Sequence, residues 1–382
     1  MFKKPTHISA PIQPVEPINP LKRAAPLPII NTASGLQLEI KPSKKPKKII
    51  LFAGLGLVVL IIASLLGGVI WYQTQLRPAD SSSEALRKIT IESGTGPKAI
   101  AKQLKEDGVI RNEEAFSLYT RISRTQNKLQ AGTYRLSPSE STQEIVKHLV
   151  DGTVDTFSIR FLPGSTLAEN RSVLIKAGYS AKELDAALLG SYSSSLFEGK
   201  PSGSDLEGYI YGETYNFSSN ATVEDILNRT FAQYDQVIKE NDLVAKFKAQ
   251  GLTLYQGITL ASIVQREAIG GDEADIAQVF YNRLANGTML GSDVTYQYAA
   301  DKMGVPRDTN LDSPYNTRRY TGLPPGPISA PGKAALIGTA NPSGHNYLFF
   351  LSGDDDKTYF STDLAGHEAN IKAHCQVKCS IL

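Results

Sequence analysis

The sequence predicts a mixed α+β protein held to a membrane by one N-terminal helix, and three observations carry that reading. Residues 49–72, IILFAGLGLVVLIIASLLGGVIWY, run for 24 positions without a charge, which as a helix reach roughly 36 Å and cross a bilayer. Residues 86–190 contain two strand–turn–helix half-repeats. Residues 200–375 mix strands and helices without the regular alternation of a doubly wound sheet. The expected organisation is a disordered leader (1–48), the transmembrane helix (49–72), a linker (73–87), a small α/β module with its connecting half-repeat (88–190) and a mixed α+β catalytic domain (191–382).

The leader holds 9 Lys+Arg against 2 Asp+Glu, and Pro11, Pro14, Pro17 and Pro20 recur every third residue, the period of a polyproline II helix. A cleaved signal peptide does not fit, because the charged leader and the apolar core are both too long and no small-residue cleavage site follows. Lys41, Lys44, Lys45, Lys47 and Lys48 crowd one flank of the span, while the other offers only Arg77 nearby; this bias places the N-terminus in the cytoplasm and residues 77 onward outside. The outer part, with 31 Lys+Arg against 36 Asp+Glu, lacks the basic surface that nucleic-acid binding requires. The run PADSSSE (78–84) reads as a short tether.

The half-repeats are ITIESGTGPKAIAKQLKEDGVI (89–110) and FSIRFLPGSTLAENRSVLIKAGYS (157–180). Ile100, Leu104 and Ile110 mark the apolar stripe of the first, and Leu167, Val173, Leu174 and Ala177 that of the second. Between them lie a helix near 113–124, a strand at 131–136 and a helix at 141–150 with a Ser141/Glu144 capping box. The first part resembles a LysM-like module, which implies binding of N-acetylated glycan; the alternative is a spacer between membrane and catalytic part.

Four segments carry candidate chemistry. In DLEGYIYGETYNF (205–217), Glu207, Tyr209, Tyr211, Glu213, Tyr215 and Phe217 share one parity, so in an extended chain carboxylates and aromatic rings would line one face, as a sugar requires. In TLYQGITLASIVQREAIGG (253–271), Thr253 and Gln256 make a capping box and Gly270-Gly271 a stop. Glu267 projects from that helix beside Leu260 and Ile263, and a carboxyl against apolar groups gains the raised pKa of a general acid. Ser292 and Asp293 can cap the helix after Asn286-Gly287. The proline-rich run 312–332 presents Asn316, Thr317 and Arg318 from a stiff loop that is either a cleft wall or a packing device.

The runs LEGYIYGETY, LASIVQREA, VFYNRL followed by GSDVTYQYA, SPYNT followed by GLPPGPISAPGKAAL, and YLFF followed by FSTDLAGHEAN resemble the YceG-like (MltG) family of membrane-anchored endolytic murein transglycosylases over roughly residues 88–375. The resemblance implies a lyase acting within nascent peptidoglycan strands at the outer face of the cytoplasmic membrane, with strand termination as its role and penicillin-binding proteins and other wall synthases as partners. It implies Glu267 as catalytic acid/base and Glu207, Tyr209, Glu213, Ser292, Asp293, Tyr315, Asn316 and Thr317 as substrate-cleft residues. No metal or redox cofactor is implied. Where the family often reads EGYLFPDTY, SDPT and YNTY, this chain has Gly212 and Glu213, Val294, and Arg318, so the resemblance does not carry over local loop shape or subsite preference at these positions, though it does carry over the main acid.

Two further classes stay open on the residues alone: a hydrolytic muramidase that pairs Glu267 with Glu207 or Glu213, and a non-catalytic glycan-binding scaffold. His367, His374, Cys375 and Cys379 cluster near the end of the sequence, but their spacing matches no common zinc motif. Whether the two cysteines pair is left undecided by the sequence.

Overall fold

The computed structural model of the protein describes residues 47–152 and 156–380, so the leader predicted for 1–48 lies almost wholly outside the described residues. The chain divides into two units, residues 1–63 and 64–382. Helix α1 (Lys47–Gln75) contains a stretch, Gly54–Gln75, with mean hydropathy 2.4 and no buried residue. That stretch is long and apolar enough to span a membrane. The expected tether is not free: the Leu76 carbonyl accepts from Thr142 N–H (3.0 Å), and Asp80 N–H donates to the Pro138 carbonyl (2.9 Å).

The first globular part runs β1 (Arg87–Ile91), α2 (Pro97–Glu106), α3 (Glu113–Ile122), β2 (Gly132–Leu136) and α4 (Thr142–Asp151). β1 and β2 pair antiparallel, with Ile89 opposite Tyr134. Helices α2–α4 cover the sheet, and Ile89, Leu104, Phe116, Leu136 and Ile145 form a small closed core. The amphipathic spacing of α2 buries Ile100 and Leu104, and the expected Ser141/Glu144 capping box starts α4.

The second half-repeat goes elsewhere. β3 (Thr156–Arg160) and α5 (Leu167–Lys176), the latter started by a Thr166/Glu169 capping box, are followed by α6 (Ala181–Leu188) and β4 (Thr214–Ser218). β3 pairs antiparallel with β4, and residues from Phe157 to Leu184 share one core with residues 206–261. That core crosses residue 190, where the sequence suggests a boundary. Three helices follow, α7 (Val223–Glu240), α8 (Leu243–Ala249) and α9 (Leu254–Glu267); then come α10 (Glu273–Ala285) and α11 (Asp293–Met303). After the proline-rich loop lie α12 (Lys333–Ala340), the hairpin β5 (Phe349–Ser352) and β6 (Thr358–Ser361), and α13 (Leu364–His374). The whole is mixed α+β with three separate two-stranded sheets among the described residues.

The parity expected for 205–217 holds only where a strand forms. Tyr215 and Phe217 are buried and alternate with exposed Thr214 and Asn216 in β4. Upstream the chain turns, and Leu206, Glu207, Tyr209, Ile210 and Tyr211 are all buried. Gly212 stands where a side chain has no room: a Cβ there would meet Pro163 N at 2.4 Å.

Arg135 joins the two globular parts. It is 5% exposed, its guanidinium lies 4.0 Å and 4.2 Å from the ring centres of Phe157 and Tyr179, and its Nη1 donates to the Ala177 carbonyl. Burial lowers its pKa, yet arginine stays charged, so the two rings supply the attraction that water would have given. Arg135→Ala should destabilise the protein by about 2 kcal/mol or more, read as a fall in thermal midpoint; an unchanged midpoint would show that the contact contributes nothing.

Candidate active site

Helix α9 starts at the expected Thr253/Gln256 capping box and buries ten of its fourteen residues. Such a helix is enclosed by packing along most of its length and lies inside the fold. Its last residue is Glu267; Ala268 is already extended (φ −69°, ψ 139°), so the helix ends ahead of Gly270 with a carboxyl at its tip. Leu260 and Ile263, on the same face, are fully buried. Burial pushes the Glu267 carboxyl up to about 6, with a donated hydrogen bond from Ser292 and the charges of Arg283 and Arg266 acting downward and Asp293 upward.

Ser292 occupies the N-cap position of α11, as its sequence context suggests, but makes no capping bond. Its hydroxyl donates instead to Glu267 Oε1 at 2.5 Å. A buried hydroxyl network holds it there: Ser292 N–H donates to Thr317 Oγ1 (3.1 Å), Thr295 Oγ1 donates to the Ser292 carbonyl (2.7 Å), and the Thr295 and Thr317 hydroxyls lie 2.9 Å apart. Gly291, at φ +65°, turns the chain into this network, and a Cβ on it would stand 2.9 Å from Arg283 Nη1. Thr295 is a supporting residue that the sequence reading passes over; its place one turn into α11 was the available signal.

Glu267 faces a cleft of ≈470 Å³. Arg283, Asp293, Arg318, Phe350, His367 and Lys378 line it with the acid. Arg283 is held by two backbone carbonyls, those of Leu348 (Nε, 2.6 Å) and Leu290, and lies over Phe349 at 5.3 Å. Arg318 pairs with Asp293 at 2.5 Å. His367 stacks on Phe349 at 5.2 Å, its Nδ1 is buried without a hydrogen-bond partner, and burial together with Arg283 lowers its pKa, so the imidazole is neutral at neutral pH. Cys375 and Cys379 form a disulfide that also lines the cleft.

The remaining predicted residues, Glu207, Tyr209, Glu213, Tyr315 and Asn316, are not among those lining this cleft. Glu207 is 5% exposed; its Oε1 accepts from Leu167 N–H (2.9 Å) at the start of α5 and from Gly208 N–H (3.2 Å), and burial raises its pKa to about 7. Tyr209 is fully buried against Phe197 and Tyr234. Glu213 is exposed, and its carbonyl accepts from Phe161 N–H (3.0 Å). Asn316 is buried and binds the Thr309 and Leu311 carbonyls, organising the loop, while Tyr315 packs on Tyr298 at 5.2 Å. The prolines of that loop act as packing against α9: the Pro325 carbonyl accepts from Tyr255 Oη, Ile328 N–H donates to Ser262 Oγ, and Gly332 N–H to Gln265 Oε1. A roomier groove of ≈770 Å³ between Tyr255, Gln278 and Pro324 contains neither Glu267 nor any other carboxylate in its lining.

Residues 89–373 match the model of the YceG-like family. An endolytic murein transglycosylase of Bacillus subtilis is 30% identical over 324 residues, which cover 79% of this chain and 89% of that protein. One from Streptococcus pneumoniae is 28% identical over 350 residues, 82% of this chain but 63% of the longer relative. The crystal structure of a yceG-like protein from Listeria monocytogenes superposes with a TM-score of 0.52 at 30% identity, covering 75% of this chain and 99% of that one.

A carbon NMR titration of labelled glutamate should find one carboxyl, absent in Glu267→Gln, with a pKa near 6. Because the Ser292 hydroxyl favours the ionised form, Ser292→Ala should move that pKa upward, by about one unit for a charge-assisted bond, whereas Ser292→Thr should restore it. An unmoved titration in Ser292→Ala would show that the hydroxyl does not act on the carboxyl.

Proposed function

The chain belongs to the YceG-like family, and from that premise we propose that it is a membrane-anchored endolytic peptidoglycan lytic transglycosylase with Glu267 as its general acid/base. The observation that carries this reading is the carboxyl at the tip of α9, pushed up to about 6 and steadied by Ser292. At that pKa it carries a proton for part of the neutral range and can both give and take one. Glu267 protonates the glycosidic oxygen between N-acetylmuramic acid and N-acetylglucosamine as the bond from the muramoyl C1 breaks. The muramoyl 6-hydroxyl then attacks C1 and gives its proton to the Glu267 carboxylate, which closes a 1,6-anhydro ring and restores the acid. The nucleophile is part of the substrate, so its attack gains from proximity and needs no second carboxylate. That agrees with the cleft lining, where the other carboxylate, Asp293, is engaged by Arg318.

The anchor, the lysines before it and the disulfide support a cytoplasmic N-terminus and a catalytic part outside the membrane, because disulfides persist in oxidising compartments. There the enzyme would act on strands as they are made and end their growth beside the wall synthases. The β1–α2–α3–β2 part, read as LysM-like, would help capture glycan.

Mass spectrometry of uncrosslinked strands treated with the full chain is expected to show internal cuts with anhydro ends, absent with Glu267→Gln. Reducing ends would assign a hydrolytic muramidase, and intact strands would leave a scaffold. For the LysM-like part, deleting residues 86–150 should weaken strand binding; undiminished affinity would reduce that part to a spacer.

A further inference from the structure

The family match stops at residue 373, yet the turn that follows helps wall the cleft around Glu267. The Cys375–Cys379 disulfide closes a loop that contains Lys378, and Cys375 itself is 2% exposed. Asp354, in the turn between β5 and β6, fixes this loop. Its carboxylate accepts from the backbone N–H groups of Gln376 (2.7 Å), Val377 (3.1 Å) and Lys378 (2.9 Å), and those bonds hold the carboxyl below its ordinary range. Lys378 is thereby delivered to the cleft wall, where its Nζ donates to the Gly353 carbonyl (2.7 Å) and meets Asp356 at 2.6 Å. The Asp356 side chain is 84% exposed, so that pair is screened by water and readily exchanged.

The cleft's charges are unbalanced once the acid is protonated. Arg283, Arg318 and Lys378 stand against Asp293 alone, and Asp293 is already paired with Arg318. Arg283 spends its donors on backbone carbonyls. A neutral sugar gains little from such cations, whereas a carboxylate on an arm of the strand can replace the exposed Asp356 as the partner of Lys378. We propose that the disulfide-closed loop 375–379 is a substrate-recognition element, with Lys378 receiving carboxylates of the peptide arms borne by the muramoyl residues. This rests on the strand-cutting function proposed above and adds which strands are preferred.

The test measures binding of uncrosslinked peptide-bearing strands to the full chain carrying Glu267→Gln in detergent micelles. The strands are compared with the same strands after their free carboxylates have been converted to neutral amides. Carboxylate-bearing strands should bind roughly three- to fivefold tighter, as one exposed ion pair allows, and the ratio should shrink with added salt. Adding Lys378→Gln should bring it near one without weakening binding to the amidated strands, and the paired change Cys375→Ser with Cys379→Ser should do the same by releasing the loop. Equal binding of both strands before these changes, or a ratio that survives Lys378→Gln, would overturn the proposal. Cleavage by the native chain is read separately, so a failure of the proposed activity and a failure of this preference are told apart.

Discussion

A helix that buries ten of fourteen residues cannot slide or tilt without opening cavities, and α9 is such a helix. Its N-terminal half belongs to the core shared with β3 and β4, and its C-terminal half to the core with α10 and Ile328. The carboxyl at its tip inherits a position fixed by both. The proline-rich loop adds four hydrogen bonds along the helix, one at Tyr255, two at Ser262 and one at Gln265, three of them to backbone groups that the loop could not otherwise bury cheaply. The loop's stiffness matters because a flexible segment would lose more entropy in being held so closely.

Around that fixed point opposing influences act on the carboxyl. Burial disfavours the ionised carboxyl, Ser292 favours it, and Asp293 and Arg283 pull in opposite directions. Ser292 illustrates how a site departs from local stability rules. At the N-cap it could satisfy an orphan N–H of α11 for about 1 kcal/mol; its hydroxyl points to Glu267 instead, and Thr295 and Thr317 keep it there.

What the sequence made legible was local or periodic. The capping boxes at Ser141 and Thr253 depend on residues three apart and appear as read. The apolar face that carries Glu267 follows from helical geometry alone. The acidic, aromatic segment 205–217 misleads because its alternation mimics a strand, whereas tertiary packing turns the chain and buries Glu207 and Tyr209 together. Arg283 and His367 enter the cleft from elements 84 residues apart in sequence and are brought together by Phe349, which touches both; no short-range pattern encodes that meeting. The disulfide depends on the turn that Asp354 organises, a long-range contact as well.

The parting of the two half-repeats into different cores bears on how the chain is made. The first core needs nothing beyond Leu149 and Val150, so it can close early as the polypeptide emerges. The second half-repeat presents Phe157, Ile159 and Phe161, but its core also takes in Leu336 and Ala340. At synthesis rates of about 5–20 residues per second, that aromatic strand waits roughly 10–40 s for its last partners. β4 can pair with it earlier, but until the last partners arrive its core stays incomplete and exposes apolar surface of the kind that associates with other chains. The vulnerable form of this protein is thus the half-made one, and changes that leave the finished structure untouched can still lower its yield by lengthening the wait.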